Sequence, residues 1–196
     1  MFTSGLFRRA ATACFLASAA LAVAWASVGS ACSRATWLGG DGSVITGRSM
    51  DWPYDFNTHF YLVPRGTRNV GIRGGLEWES RHGMVVAAGS MTPGGPIDGA
   101  FDGLNEKGLG ANLLYLAEAD FGKEPSPPKP RISMGAWVPY VLSRHATVAE
   151  VVEEFAKDPV YIVPTNFGPG GAGHPTIHLS VTDARSEEHT SELQSR

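Results

Sequence analysis

The chain has 196 residues, 43% of them hydrophobic and 18% charged, enough for one sizeable core and ordinary for a globular protein. Its 16 Lys and Arg against 19 Asp and Glu leave a formal net charge of −3, which supports neither a nucleic-acid partner nor an acidic one. With two cysteines it has no disulfide scaffold.

The first 31 residues read as a secretory signal peptide. Arg8 and Arg9 form a basic start, residues 10–26 an uncharged apolar run, and Gly29 and Ala31 the small residues before a cleavage site at Cys32. The expected mature protein therefore begins at Cys32, is periplasmic or extracellular, and has no stable membrane association after processing. Cys14 leaves with the leader, so one thiol remains. The rival reading is a lipoprotein lipidated at Cys32, but Gly29 stands where an aliphatic residue is expected.

Residues 32–38 are predicted as a strand, with Gly39-Gly40-Asp41-Gly42 as the turn and residues 43–50 as its hairpin partner. Further strands are expected over 59–63, 84–88 and 109–116. The segment between the last two carries turn chemistry in Pro93-Gly94-Gly95-Pro96 and Asp102-Gly103. After the Pro-rich connector 125–130, residues 132–144 read as a helix that Pro139 kinks or delays. Thr147-Val148-Ala149-Glu150 reads as a capping box opening a second helix to about Lys157. Val148, Val151, Val152 and Phe155 share its apolar face. Strands follow at 161–163 and 177–181, with a Gly/Pro loop over 168–173 between them. This order indicates an α+β fold.

Residues 185–195 match, letter for letter, the translation of a common sequencing adapter. Residues 185–196 are therefore expected to be an artefact, and the domain, 32–184, to be cut short.

The chemistry starts at Cys32. Cleavage before it frees an α-amine that titrates near pH ~8, so nucleophile and general base come from one residue. Arg48, on the hairpin partner, favours a thiolate, and Asp51 is placed to orient the amine. Three residues apart on a flat strand, Arg48 and Asp51 point to opposite faces. Both reach Cys32 only if the strand ends or bulges near Ser49 and Met50. Trp52 is the candidate to line an acyl pocket. The histidines show no metal-ligand spacing such as HExxH, so no metal is assigned.

Cys32, Arg48-Ser49-Met50-Asp51-Trp52 at that separation, and Asp102-Gly103-Leu104-Asn105-Glu106-Lys107-Gly108-Leu109 together resemble the choloylglycine hydrolase family. His178-Leu179-Ser180-Val181-Thr182-Asp183-Ala184 is similar to a strand past the helical pair there. The resemblance implies an Ntn-hydrolase αββα sandwich, here truncated, that hydrolyses linear amide C–N bonds of small molecules without a cofactor. It implies Cys32 as nucleophile, Arg48 and Asp51 as the charged pair positioning it, and Tyr115 as the backbone N–H donor of an oxyanion hole. Tyrosine there resembles the penicillin acylase side of the family, where bile salt hydrolases usually have asparagine. An oxyanion asparagine in a Thr-Asn-x-Pro stretch and a second arginine are expected beyond this sequence, so the chain alone is expected to be inactive. The rival from another class is an exported domain that binds without cleaving. A homo-oligomer is left open.

Overall fold

The chain divides into two units, Met1–Ser30 and Ala31–Arg196. The computed structural model describes residues 32–52, 55–90, 94–116, 118–164 and 176–185, with the backbone of 188–190, all in the second unit. The leader, the 168–173 loop and most of the adapter-like tail lie outside the described residues.

β1 (Arg34–Leu38) and β2 (Val44–Arg48) form an antiparallel hairpin with Arg34 opposite Arg48 and Trp37 opposite Ile45. Gly42 takes a φ of 84° in the turn, a conformation that favours glycine. Six further strands build the main sheet. These are β3 (His59–Val63), β6 (Met84–Gly89), β7 (Gly99–Asn105), β8 (Gly110–Tyr115), β11 (Ile177–Thr182) and β12 (Glu188–Thr190). They lie in the order β12-β11-β8-β7-β6-β3, and every pairing is antiparallel. A small pair, β4 (Arg68–Val70) with β5 (Glu77–Glu79), sits apart from this sheet.

The helical segment is bracketed by two parallel strands, β9 (Arg131–Ser133) and β10 (Tyr161–Val163). A 3₁₀ turn, Met134–Ala136, leads into α1 (Trp137–Arg144), and α2 (Val148–Phe155) follows. The expected helix over 132–144 thus begins five residues late. Pro139 stands in the first turn of α1, where backbone N–H groups lack intrahelical partners and proline costs little. Thr147 caps α2 through the N–H of Glu150 at 3.2 Å, and Glu150 reaches back to the N–H of Ala146 at 2.6 Å. The capping pattern works as read, with the return bond one residue earlier than the usual form.

Successive strand residues face opposite sides of a sheet. On one side Met84, Val86, Ala111, Leu113, Leu179 and Val181 are buried and form the core with α1 and α2. Glu154 of α2 ties the helices together, accepting from Tyr140 at 2.5 Å and meeting His145 Nε2 at 2.7 Å and Arg144 at 3.5 Å. The opposite side carries Asp102 and Asn112, and the β1–β2 hairpin lies there. The hairpin is inverted relative to an ordinary amphipathic ribbon. Arg34, Thr36, Thr46 and Arg48 are its sheltered residues, while Trp37 and Ile45 are more than half exposed.

The structure corrects the reading of Asp102-Gly103 as a turn: both lie within β7, in the middle of the sheet. Gly103 serves packing here. A Cβ on it would stand 2.6 Å from Leu142 Cδ1 and 2.9 Å from the Val85 carbonyl oxygen, so glycine is what lets α1 close on the sheet.

Candidate active site

β2 ends at Arg48, which meets the condition that the strand stop before Met50 and Asp51. Beyond the last strand pair, Ser49 continues the hairpin register. Its N–H donates to the Ser33 carbonyl at 2.9 Å, and its hydroxyl oxygen accepts from the Ser33 N–H at 3.0 Å. The Ser49 hydroxyl donates in turn to Asp51 at 3.2 Å. Asp51 is thus tied, through one serine, to the peptide unit that follows Cys32. Cys32 is a free, partly buried thiol.

Arg48 is held between hairpin and sheet, its side chain only 10% exposed. Its Nε lies 3.4 Å from Asp102 Oδ1, and its Nη2 donates to the carbonyl of Leu113 on β8. Asn112 donates to the same Asp102 oxygen at 2.7 Å and accepts from Arg34 Nε at 2.9 Å. Arg34 Nη2 also donates to Thr182 on β11. Nε and Nη1 of Arg48 are both buried with no hydrogen-bond partner among the described residues, so the contact with Asp102 is an ion pair without a hydrogen bond. Burial pushes the Asp102 carboxyl above its ordinary value, against the opposing pull of Arg48, Asn112 and Arg34. Arg34 and Arg48 thus share the Asn112–Asp102 pair between hairpin and sheet.

Asp102 is placed by a bulge. The β6–β7 register runs Ala87 to Asp102 and then Ala88 to Ala100, leaving Phe101 as an extra residue beside it. The β7–β8 pairing ends at Asp102 opposite Asn112, and the next carbonyl of β8, Leu113, is the one Arg48 takes.

Of the residues singled out, Arg48 is brought to β8 two residues before Tyr115, the last residue of that strand. Cys32 heads the same hairpin. Trp52 is partly buried and stacks on Phe56 at 5.7 Å. Arg48 meets Asp102, and Asp51 meets Ser49. Sequence reasoning missed Arg34, Asp102, Asn112 and Thr182. A signal existed for Arg34, a basic residue at strand spacing from Cys32. Another existed for Asp102, an acidic residue among the β-prone Ala100, Phe101 and Leu104.

The rest of Asp102-to-Leu109 is architectural. Asn105, buried, accepts from the N–H groups of Lys107 and Leu109. It donates to the carbonyls of Leu142 and His145. Glu106 takes Arg65 in a two-point bond at 2.5 and 2.6 Å and also accepts from the Gly83 N–H. Gly108 turns the chain at a φ of 83°.

The profile of the linear amide C–N hydrolases, choloylglycine hydrolase family, matches residues 32–194. This chain belongs to the choloylglycine hydrolase family. It is 36% identical over 181 residues to a penicillin V acylase of Pectobacterium atrosepticum, covering 90% of this chain and 47% of that protein. The structure of a penicillin V acylase from Agrobacterium tumefaciens superimposes with a TM-score of 0.67 at 34% identity, covering 80% of this chain and 45% of that one. A mutant conjugated bile acid hydrolase from Clostridium perfringens gives 0.67 at 24% identity, over 84% of this chain and 48% of that one. That likeness is one of fold. As a choloylglycine hydrolase family member the chain has the Ntn-hydrolase fold, and it spans about half the length of the relatives it matches.

Proposed function

We propose that this protein is an exported amidase of penicillin V acylase type, with Cys32 as its N-terminal nucleophile. The observation that carries the reading is the place of Cys32. It stands two residues before β1, whose first residue Arg34 lies opposite the buried Arg48 across the hairpin. In the proposed reaction the α-amine of Cys32 takes the thiol proton and Sγ attacks the amide carbonyl. The proton then passes to the departing amine, and water cleaves the thioester. The Tyr115 N–H donates to the tetrahedral oxyanion, a contribution typically worth about 3 kcal/mol. Asp51, through Ser49, orients the chain at Cys32, and Trp52 lines the acyl pocket.

The substrate proposed is a small amide with an apolar acyl group, phenoxyacetyl or fatty acyl, and the chemistry needs no cofactor. The leaning toward penicillin V acylase over bile salt hydrolase rests on Tyr115. Identities of 36% and 34% to two penicillin V acylases, against 24% to the bile acid hydrolase, support it. Turnover is proposed to need the oxyanion asparagine and second arginine that the family resemblance calls for and that these residues do not supply.

The test is run on the product of the whole gene and on this chain, using a phenoxyacetyl amide. The N-terminal peptide should begin at Cys32 with a free amine, and the whole product should release the amine. Cys32→Ser should abolish release by more than about a thousandfold. A lipid on Cys32, or ligand binding without any release, would refute the assignment in favour of an anchored or binding protein.

A further inference from the structure

We infer that Asp102 is a positioning residue, set by the β7 bulge to hold the Arg48 guanidinium in register with the Leu113 carbonyl of β8. This rests on the proposed reading of Arg48 as the cation beside Cys32, and it names what holds that cation in place.

The argument is one of degrees of freedom. An arginine on a hairpin has several rotatable bonds, and like charge repels it from Arg34, its direct cross-strand neighbour. Among the described residues one carboxylate pairs with Arg48 against that repulsion, Asp102 Oδ1 at 3.4 Å. Asp102 has a fixed direction because Asn112 donates to the same oxygen at 2.7 Å. Asn112 is itself fixed by Arg34 Nε at 2.9 Å, and Arg34 by Thr182. The chain Thr182–Arg34–Asn112–Asp102–Arg48 thus links β11, the hairpin, β8 and β7 through side chains alone. The bulge at Phe101 aims Asp102 at the hairpin. Its neighbour Gly103 faces α1, so Asp102 connects the helix-packed sheet to the hairpin that carries Cys32.

Positioning and bare charge make opposite predictions. If Asp102 acted only as a negative charge, neutralising it would make the layer more positive and favour the Cys32 thiolate. If it holds Arg48, neutralising it releases the guanidinium, and the thiolate loses its cation.

Two readouts on the full chain separate these. The first is solvent exchange of the Arg48 Nε–H by nitrogen-15 NMR, assigned with Arg48→Gln. Asp102→Asn should speed it by roughly tenfold or more, and Asp102→Glu, which keeps the carboxylate, should recover part of the protection. Unchanged exchange in Asp102→Asn overturns the inference. The second is the rate of Cys32 alkylation by iodoacetamide at one fixed pH, with the Cys32 peptide resolved from the Cys14 peptide by mass. Arg48→Gln and Asp102→Asn should each slow it by about threefold or more, and the double variant no further than Arg48→Gln alone. A faster rate in Asp102→Asn overturns positioning in favour of bare charge. If exchange speeds up in Asp102→Asn but Arg48→Gln leaves alkylation unmoved, the inference stands and the proposed role of Arg48 at Cys32 falls. If Asp102→Asn does not fold, Asn112→Ala, which removes the 2.7 Å bond to Asp102, is read by the same two criteria.

Discussion

Asn105 donates its side-chain amide to the backbone carbonyl of His145, 2.7 Å away, and so ties the β7–β8 turn to the residue that ends α1. The same nitrogen reaches the Leu142 carbonyl at 2.8 Å, while the side-chain oxygen accepts two N–H groups of the turn. One buried amide therefore satisfies the end of a helix and shapes a hairpin.

Asn105→Ala should destabilise the fold by about 3 kcal/mol, because it strands buried carbonyls and N–H groups that water does not reach. Urea unfolding followed by tryptophan fluorescence reads this as a lower midpoint with an unchanged slope. A loss below about 0.5 kcal/mol would mean that the turn finds other partners.

Gly103→Ala tests the close approach of α1 to the sheet. The new methyl meets Leu142 and the Val85 carbonyl oxygen, and backbone does not give way easily. A loss of about 1–3 kcal/mol is expected. Gly103→Ala with Leu142→Ala should lose less than the sum of the two, because the second change makes room for the first.

The helix latch predicts an acid-sensitive step. Burial pushes the Glu154 carboxyl up, but the Tyr140 hydroxyl, the His145 ring and the Arg144 guanidinium outweigh it and hold the group below its ordinary value. A folded value below the unfolded one stabilises above the ordinary carboxylate range, and that contribution is lost as pH falls through the lowered folded value. Glu154→Gln should therefore flatten the decline in stability as pH falls through and below the ordinary carboxylate range while lowering stability at neutral pH. Parallel acid limbs in the two proteins would contradict it.

Glu106 is held down to about 2, chiefly by the two-point bond from Arg65 and then by the Gly83 N–H. A carboxyl-detected NMR titration should find it there, and Arg65→Ala should return its midpoint most of the way to the ordinary glutamate range. Any stability it lends is present above that range and lost as pH falls toward about 2, and it should be small because the pair is exposed.

The elements with regular periodicity were legible. β3 and β10 have the predicted bounds, and α2 turns Val148, Val151 and Phe155 into the core as its spacing requires. β7 was not, because Asp102-Gly103 reads locally as a turn. The reasons for those two residues lie far off in sequence, in Leu142 for the glycine and in Arg48 for the aspartate. The site divides in the same way. Cys32 and Arg48 could be chosen from chemistry that adjacent residues express. Asp102 and Asn112 act through partners on other strands, and nothing in a local window separates a carboxylate that binds an arginine from one that faces water.

The bond from Arg34 to Thr182 joins residues 148 apart. Contacts of that span form late, since the loop they close must first be organised by nearer ones. β6, β7 and β8 join through short connections and can assemble before the hairpin has a surface to meet. The strand that begins just after Cys32 is thus first in synthesis and last in docking. Cys32 stays open to solvent until the sheet behind it is in place.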